Sequence, residues 1–469
     1  MAQTFLFYDI ETTGLNKCFD QVLQFAAIRT DLNLNPIEDY NFLVKPNPDI
    51  IPNPYAQITH RISLKHAEKE GMCELDAIEK IHALLNEPGT ISLGYNTLGF
   101  DDEFLRFSFY RNLLPPYTHQ YANQCYRADI YPMAIMYFLF KPAIIEWPKK
   151  DGKTSLKLEL INNLNKFVSG PAHDALVDVK ATLGIAEQFK KEDNMWEYVL
   201  DYFNKKTDIE RIQKLDSSIH GCPQAIMING KFGAKFAFHR PVLGLGQHRV
   251  YRNQSIWLCL DDPDIKNVTP DTLKDIWSVN KKPGEPGFIL PMHDRFTKFL
   301  SAQRKELMET NKEWLAAHAD IFTQLSNYHL DYTYPKVKNI DIDAALYETE
   351  FLTPQELKQC ATFHTATPKE KAAMQFSDMR LQEQAVRVLG RNYPDTLSAH
   401  QRAMFNEYLS TIQDDNPDTA PRSYQNSLRT TKVSALKDIE EIRKTQELDQ
   451  EQVELLVELE ALLASSPST

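Results

Sequence analysis

Runs of mostly apolar residues alternate with polar turns over the first part of the chain. Residues 5–9, 24–30 and 41–45 predict the opening strands of a sheet, with LNLNP as the turn before the third. Residues 73–86 have the spacing of a helix, and residues 90–95 again that of a strand. Strands that alternate with helices indicate an α/β domain whose sheet is covered by helices.

Later segments complete this domain and predict two more. Apolar residues at helical spacing predict helices over 101–113 and 173–189, and the first domain is predicted to span 1–195. Short β-forming segments separated by Gly, Asn and Asp predict a β-rich domain over 196–343. Residues 344–469 have helical periodicity and predict an all-helical domain, which ends in a heptad-like segment and a disordered SSPST.

Composition narrows the class of protein. A length of 469 residues favours two or three domains, and six widely separated cysteines without a CxxC pair fit a reducing compartment. The most apolar run, 133–140, is far shorter than a membrane span, and the first residues do not resemble a signal peptide. A cytoplasmic protein without membrane contact is therefore expected. The formal charge of −12 argues against a general nucleic-acid coat protein but leaves room for a local basic groove.

Two carboxylates end the first apolar run one residue apart, in FLFYDIETTGLN. Residues i and i+2 of a strand share a face, so Asp9 and Glu11 project together. Like charges this close raise a pKa unless a cation lies between them, and oxygen ligands suit a divalent cation. The alternative reading is a strand that simply ends in polar residues and a turn.

A second pair, Asp101 and Asp102, begins the predicted helix 101–113. Ligand sites of α/β sheets lie near the carboxyl ends of the strands, which favours a functional role here. Either aspartate also fits the first turn of a helix, where a carboxylate stabilises by about 0.5–2 kcal/mol and needs no other role. One of the two is expected to cap the helix and the other to act as a ligand.

A third group, His173, Asp174 and Asp178, lies in PAHDALVDVKATLG. Pro171 and the Ser-Gly before it place His173 on the loop or first turn that leads into the helix, from where it can move over a site lined by Asp178. The alternative for His173 is a cap or surface histidine.

Together these segments supply four carboxylates and one histidine, as two-metal hydrolysis of a phosphodiester requires: Asp9, Glu11, Asp101, Asp178 and His173. In that reaction two cations about 3.5–4 Å apart hold the attacking and leaving oxygens, while a base takes a proton from the attacking water. Hard oxygen ligands favour Mg²⁺ or Mn²⁺ over Zn²⁺.

The motifs F-x-D-x-E-T-T-G, N-x3-F-D and H-D-A-x2-D, in this order, resemble the DEDDh group of 3′–5′ exonucleases, which has a ribonuclease H-like fold. The resemblance implies four metal ligands: Asp9, Glu11, Asp101 and Asp178. It makes His173 the general base. It also implies contacts with the terminal nucleotide from four residues: Glu11, Thr12, Thr13 and Gly14.

Longer stretches, from Phe5 to about Leu397, resemble the bacterial exonuclease I family: FLFYDIETTGLN, QFAAIRTD, GYNTLGFDDEFLR, SLKLE, INGKFGA and RNYPDTL. The resemblance implies an exonuclease domain, an SH3-like β-rich domain and a helical domain, which together clamp single-stranded DNA. It implies two Mg²⁺ per active site, with Mn²⁺ as a substitute. The implied partners are single-stranded DNA and the acidic tail of single-stranded DNA-binding protein, and the chain is expected to be a monomer.

Basic residues for substrate contact are suggested at Arg106 and Lys157, and Lys141 is a candidate for the partner surface. Two positions depart from the family pattern. The segment usually written ITG reads ITHRIS, which puts His60 where the family has a glycine near the nucleotide, and Ile10 stands where some relatives have tyrosine. Neither change removes a ligand.

The leading hypothesis is a single-stranded DNA-specific 3′–5′ exodeoxyribonuclease that releases 5′-mononucleotides processively in DNA repair and recombination. The two domains beyond residue 195 exceed what a trimming nuclease needs, and a groove with basic and aromatic residues would hold a strand through many cycles. The alternatives are an exoribonuclease that trims RNA 3′ ends and a catalytically silent single-strand-binding protein. The complete set of five site residues argues against the silent protein.

Overall fold

The structure is a computed structural model that describes residues 3–170, 173–412, 416 and 418–465. Its strands in chain order are β1 (Thr4–Thr12), β2 (Val22–Thr30), β3 (Pro36–Leu43), β4 (Thr90–Leu93), β5 (Tyr126–Arg127), β6 (Lys149–Lys150), β7 (Lys153–Thr154), β8 (Gln224–Ile228), β9 (His239–Gln247), β10 (Ser255–Cys259), β11 (Ser278–Lys281) and β12 (Phe288–Pro291). Its helices in chain order are α1 (Pro54–His60), α2 (Leu64–Glu70), α3 (Glu74–Asn86), α4 (Asp101–Arg111), α5 (Ile130–Phe140), α6 (Leu158–Asn165), α7 (Ala175–Lys190), α8 (Asp193–Leu200), α9 (Lys205–Gln213), α10 (Asp294–Thr297), α11 (Ala302–Ala317), α12 (Ala319–Asp331), α13 (Pro354–Thr365), α14 (Pro368–Ala373), α15 (Met379–Asn392), α16 (Ala399–Thr411), α17 (Lys432–Thr445) and α18 (Gln450–Ser465).

The chain packs as two compact units, whereas the sequence predicts three consecutive domains with boundaries after residues 195 and 343, a division that stays a prediction. Unit 1 comprises Met1–Arg127, Val168–Ala181 and Lys336–Thr469, and unit 2 comprises Ala128–Phe167 and Thr182–Pro335. The difference arises because the residues after 336 pack on the same core as the first 127, so sequence order alone does not mark the boundaries.

The sheet of unit 1 has the strand order β3-β2-β1-β4-β5. β1 pairs antiparallel with β2 and parallel with β4, so the sheet is mixed. β2 is buried along its whole length, which explains its nearly continuous apolar run, whereas the edge strand β3 is largely exposed and polar. Helices α3 and α4 cover one face, where Ile78 and Phe104 pack against Leu6 and Tyr8 of β1. The predicted α/β arrangement is confirmed.

The C-terminal helices of unit 1 pack directly on this α/β core. Ile58 of α1 shares an apolar cluster with Ile439 of α17 and Leu459 of α18. A buried ion pair joins Arg391 of α15 to Asp49, with Nη2 and Oδ2 2.8 Å apart. Breaking such a buried pair by removing one partner costs about 3–5 kcal/mol, so these helices are part of the framework that fixes α1.

Unit 2 is built around an antiparallel sheet with the strand order β11-β10-β9-β8-β12. Helices α11 and α12 cover it, with Met308 and Leu325 packed against Leu243 and Leu258. The sheet confirms a β-rich region in this part of the chain. β9 starts only at His239, because the residues before it form two short 3₁₀ turns.

Most predicted elements are confirmed with shifted ends. β1 continues through Thr12, so Glu11 lies inside the strand, and β3 begins at Pro36 because Asp31 closes a tight turn by accepting the backbone N–H of Asn33 and Asn35. The described part of the chain has no helix that is both long and apolar enough to cross a bilayer. Residues 466–469 of the tail predicted to be disordered lie outside the described residues.

Candidate active site

Strand β1 places the first two carboxylates. Asp9 pairs with Ala26 and Glu11 with Gln24 of β2, so both acidic side chains leave the same face of the sheet. Tyr8 and Ile10, which alternate with them, enter the apolar core on the other face. The predicted shared face of Asp9 and Glu11 is confirmed.

The segment after β1 is held in a fixed turn. Thr12 Oγ1 donates to the carbonyl of Gly14 at 2.8 Å, and the backbone N–H of Asn16 donates to Asp20 Oδ2 at 2.7 Å. A Cβ at Gly14 would lie 2.4 Å from Asp20 Oδ2, so only glycine fits here. Thr13 is fully buried and donates to Asp20 Oδ1, which makes its side chain a support of the turn.

The start of α4 separates the two neighbouring aspartates. Asp102 is 1% exposed and lies 2.6 Å from Arg127 Nη1, 3.1 Å from Arg106 Nε and 2.9 Å from His119 Nε2. Burial opposes its charge, but Arg127, Arg106 and His119 outweigh burial and hold the pKa of Asp102 well below its usual range. Asp101 instead lies close enough to Asp9 to raise the pKa of that residue. The structure therefore places Asp101, and not Asp102, among the site carboxylates.

The start of α7 supplies the remaining side chains. Asp174 caps the helix by accepting the backbone N–H groups of Leu176 and Val177, at 3.0 and 3.1 Å. His173 precedes the cap in the left-handed region, with φ 63°, and its side chain is exposed. Such a conformation is uncommon for a residue other than glycine and is concentrated at functional sites. The predicted position of His173 on the loop before the helix is confirmed.

Gln24 ties this helix start to the sheet. Its Oε1 accepts the backbone N–H of Ala175 at 3.3 Å, while its own backbone pairs opposite Glu11. One ligand atom from each of Glu11, His173 and Asp178 lies within 4.8 Å of the others. Glu11 of β1 thus meets His173 and Asp178 from a distant segment, and Asp101 lies close enough for its charge to act on Asp9 and Glu11.

The pKa values of Asp9 and Glu11 are raised by burial and by the other carboxylates close to them. Burial is the largest cause that raises the pKa of Asp9 well above its usual range, and the charges of Asp101, Glu11 and Asp178 raise it further. Burial also raises the pKa of Glu11, ahead of the charges of Asp178 and Asp101. Such a group is electrostatically unfavourable as a set of anions and favourable around a cation.

The donor set fits divalent cations. Carboxylate oxygens are hard ligands, and one ligand atom from each of Glu11, His173 and Asp178 lies within 4.8 Å of the others, a spacing that suits one bound ion. Asp174 was noted in the sequence but given no role. It stands at the edge of the group, since its charge also raises the pKa of Asp9 and Glu11.

Comparison with known proteins agrees with this geometry. Residues 6–186 match the family model of the exonuclease domain, and residues 340–465 match that of the exonuclease I C-terminal domain. The chain is 35% identical over 267 residues to exodeoxyribonuclease I of Buchnera aphidicola subsp. Acyrthosiphon pisum, a match that covers 56% of this chain and 63% of that relative. The chain is therefore similar to proteins of the exonuclease I family in both of these regions. The match therefore spans less than two thirds of that relative's length.

Solved structures of the exonuclease I family show the same fold over the whole chain. Exonuclease I from Methylocaldum szegediense is 26% identical with a TM-score of 0.82, over 99% of this chain and 100% of that one. Escherichia coli exonuclease I in complex with an oligonucleotide is 23% identical with a TM-score of 0.85, over the same shares of each chain. The fold is thus that of a ribonuclease H-like exonuclease, with the mixed sheet at its centre.

The segment ITHRIS, where the family pattern predicts a glycine at position 60, spans the end of α1. Arg61 ends α1 in the left-handed region with φ 59°, where glycine is favoured, and pairs with Asp449 and Glu451, each at 2.6 Å. His60 is the last residue of α1 and is 6% exposed. Burial, and then the charge of His173, lower the pKa of His60 to about 4. Sequence reasoning gave His60 no role.

The basic residues suggested by the exonuclease I family lie in different surroundings. Arg106 is 14% exposed and is engaged by Asp102 and by Tyr347 Oη at 3.1 Å, an arrangement that favours a structural role. Lys157 of unit 2 is 64% exposed and lies 3.8 Å from Glu159, a weak pair that leaves it accessible. Lys141 pairs with Glu192 at 2.6 Å.

Unit 2 contains an aromatic cavity, which is defined by Phe236, Trp277, Tyr328, Tyr332 and Tyr334 and has a volume of about 810 Å³. Trp277, Tyr332 and Tyr334 are 37%, 44% and 62% exposed, which is high for large aromatic side chains. Basic side chains also line the cavity: Lys235, Arg240 and Lys274. Aromatic faces beside cationic groups are suited to stacking the bases of a single strand.

Proposed function

We propose that this protein is a single-stranded DNA-specific 3′–5′ exodeoxyribonuclease that releases 5′-mononucleotides by two-metal-ion hydrolysis. The observation that carries the proposal is the meeting of Asp9, Glu11, Asp101 and Asp178 beside His173, with the pKa of Asp9 raised by the other three carboxylates. This arrangement matches a hydrolytic site for the last phosphodiester of a strand.

Each residue has a definite task in this proposal. Asp9, Glu11, Asp101 and Asp178 would hold two Mg²⁺ ions, or Mn²⁺, which would supply charge stabilisation at the scissile phosphate. His173 takes a proton from the attacking water, whose oxygen forms a bond to phosphorus while the bond from phosphorus to the O3′ of the preceding nucleotide breaks. The O3′ leaves with a proton, and the released nucleotide keeps the 5′-phosphate. Its exposed position before α7 gives His173 the freedom this exchange requires.

The ordered turn of Thr12, Thr13 and Gly14 would contact the terminal nucleotide. The buried Thr13 and the close approach of Gly14 to Asp20 leave the backbone as the surface offered to a ligand. Glu11 would reach the same nucleotide, because it shares a face with Asp9. Lys157 is retained as a phosphate contact of the strand, whereas Arg106 would act by holding Asp102.

The substrate class rests on the relatives. A structure of Escherichia coli exonuclease I contains an oligonucleotide, a second contains zinc and single-stranded DNA, and a third combines exonuclease I with SSB and an inhibitor. We assign single-stranded DNA as substrate and the acidic tail of single-stranded DNA-binding protein as partner, with a role in DNA repair and recombination. A monomer with six free thiols, working in the cytoplasm, completes the proposal.

Unit 2 and the C-terminal helices would hold the strand. The antiparallel sheet of unit 2 corresponds in this proposal to the SH3-like domain of the family, and α13–α18 to its helical domain. The aromatic cavity supplies stacking surfaces, which supports processive degradation. Trp277→Ala is expected to weaken binding of a long strand by about fivefold to a hundredfold, because one stacked base contributes about 1–3 kcal/mol. Unchanged affinity, measured by fluorescence anisotropy, would remove the cavity from the binding surface.

The direct test compares 3′-labelled single-stranded DNA, RNA of the same sequence and blunt duplex DNA, in Mg²⁺ and in EDTA. We expect metal-dependent release of mononucleotides from the DNA strand and little from RNA or duplex. Asp178→Ala is expected to abolish cleavage and keep strand binding. Faster release from RNA would favour the trimming exoribonuclease, and binding without cleavage in every metal would favour the silent protein.

A further inference from the structure

Strands β6 and β7 form a two-stranded hairpin, here called the lysine hairpin, which carries three exposed lysines: Lys149, Lys150 and Lys153. Its turn is Asp151-Gly152, with φ values of 51° and 74°. Two consecutive positive φ values are typical of the tight type I′ turn that an Asp-Gly pair favours. The backbone N–H of Ser155 donates to the carbonyl of Pro148 at 2.9 Å and closes the other end of the hairpin. The lysines are therefore presented in a defined register.

The register of the hairpin places like charges together. Lys150 and Lys153 lie directly opposite each other, so their side chains leave the same face, an arrangement that is destabilising for two cations. Among the residues that the structure describes, no carboxylate oxygen lies within 4.0 Å of the ammonium groups of the three lysines, that of Asp151 in the turn included. In a chain with a formal charge of −12, this surface is suited to an anionic ligand from outside the chain.

The lysine hairpin lies next to a turn that lines the aromatic cavity. β7 contacts the short 3₁₀ turn Ala234–Phe236, which belongs to unit 2 like the hairpin. Lys235 and Phe236 of this turn line the cavity together with Trp277, which is 37% exposed. The turn thus connects a group of cationic side chains with a group of aromatic ones. Phosphates and bases of a single strand are the ligands that suit these two groups.

We propose that the lysine hairpin binds phosphates of the DNA strand whose bases stack in the aromatic cavity. The proposal rests on the proposed function and adds to it a binding element of unit 2, whereas the site carboxylates belong to unit 1. Lysine contacts with phosphate hold the strand without reading its sequence, because they depend on charge and not on base edges. The neighbouring aromatic faces favour a nucleic-acid strand over an acidic peptide, which offers carboxylates but no bases to stack.

The test measures how binding of a long, fluorescein-labelled oligodeoxythymidylate depends on the concentration of KCl, by fluorescence anisotropy in EDTA with the cleavage-deficient Asp178→Ala protein as parent. Lys150→Gln/Lys153→Gln removes two charges from the hairpin, and Lys150→Arg/Lys153→Arg keeps them. Lys206→Gln/Lys282→Gln is the matched control, because it removes the same charge from two lysines of unit 2 that each lie within 4.0 Å of a glutamate.

The plot of log Kd against log KCl concentration should become less steep by about 1.4 in the hairpin glutamine variant, since each phosphate contact of a single strand contributes about 0.7. The arginine variant and the control should keep the slope of the parent. An unchanged slope in the hairpin glutamine variant would overturn the proposal, and so would an equal change in the control.

Two further measurements separate the possible failures. Weaker binding of a glutamate-rich peptide by the hairpin glutamine variant, with an unchanged slope for DNA, would assign the hairpin to a protein partner and overturn the proposal. Metal-dependent release of mononucleotides is measured with the protein that retains Asp178. Its absence would remove the proposed function, whereas normal release together with an unchanged slope would remove only the role of the lysine hairpin.

Discussion

Asp101 and Asp102 are neighbours in the chain and both are buried, yet their surroundings differ completely. Asp102 is neutralised by Arg127, Arg106 and His119, and these partners lower its pKa despite burial. Asp101 lies near Asp9, whose pKa is raised by burial and by neighbouring carboxylates, Asp101 among them. The comparison shows that burial alone does not define a functional carboxylate. The sign of the neighbouring charges distinguishes the two cases: cationic neighbours indicate a structural carboxylate, and neighbouring carboxylates indicate a candidate metal ligand.

The first experiment tests the difference between the two aspartates by replacing each in turn with asparagine, which removes the charge. Asp101→Asn is expected to lower kcat/KM on single-stranded DNA by about 10⁴-fold, since several kcal/mol of metal-borne charge stabilisation would be lost. Asp102→Asn, the matched control, should keep metal-dependent cleavage in the protein that remains folded. Steady-state release of mononucleotides measures both. The opposite ranking would reverse the assignment of the two residues.

A second experiment separates the base from the ligands. His173→Ala should lower kcat by about 10²- to 10⁴-fold, the usual contribution of a general base. Binding of metal, followed as the rise in thermal midpoint on adding Mn²⁺, should persist because the four carboxylates are unchanged. Undiminished kcat would exclude His173 as the base, and loss of the thermal shift would make it a ligand instead.

The third experiment measures how much Asp102 contributes to the stability of the folded protein. Asp102→Ala leaves Arg127 and His119 buried without their anion, so the free energy of unfolding is expected to fall by about 3–5 kcal/mol. Urea denaturation in EDTA, which removes any effect of metal, measures this loss. Asp101→Ala serves as the comparison and should not lower stability. Equal destabilisation by both would remove the distinction between a carboxylate surrounded by cationic side chains and one grouped with other carboxylates.

The smallest effect concerns pH and metal. The folded-state pKa values of Asp9 and Glu11 are raised, so in EDTA these two residues bind more protons in the folded protein than in the unfolded chain, and their contribution to stability falls as pH rises above about 4. Asp9→Asn should therefore gain stability relative to the parent in EDTA as pH rises towards neutral. Mg²⁺ at a hundred times its Kd should stabilise the parent by about 2.7 kcal/mol and this variant by less. A difference in stability between variant and parent that does not change over this pH range would contradict the raised pKa values.

Much of the site follows from the sequence, because local periodicity decides it. The period of a strand places Asp9 and Glu11 on one face, and helix-start chemistry locates Asp101 and His173. Sequence reasoning left Asp101 and Asp102 undivided, since the partners that separate them, Arg127 and His119, come from later segments.

Long-range packing sets the limits of prediction elsewhere. The burial of His60 and the ion pairs of Arg61 with Asp449 and Glu451 depend on segments far apart in the chain. The discontinuous units arise because α13–α18 return to the core of residues 1–127, a contact with no local signal. The same is true of Arg106, whose pairing with Asp102 removes it from the accessible cations.

The central claim is that four carboxylates bind a pair of cations at the last phosphate of a DNA strand. Anomalous diffraction from crystals grown with Mn²⁺ and a short oligodeoxynucleotide tests it most directly. The account predicts two manganese peaks about 3.5–4 Å apart, contacted by Asp9, Glu11, Asp101 and Asp178, with Asp102 still bound to Arg127. Manganese coordinated by Asp102, or no manganese within reach of Asp9, would contradict it.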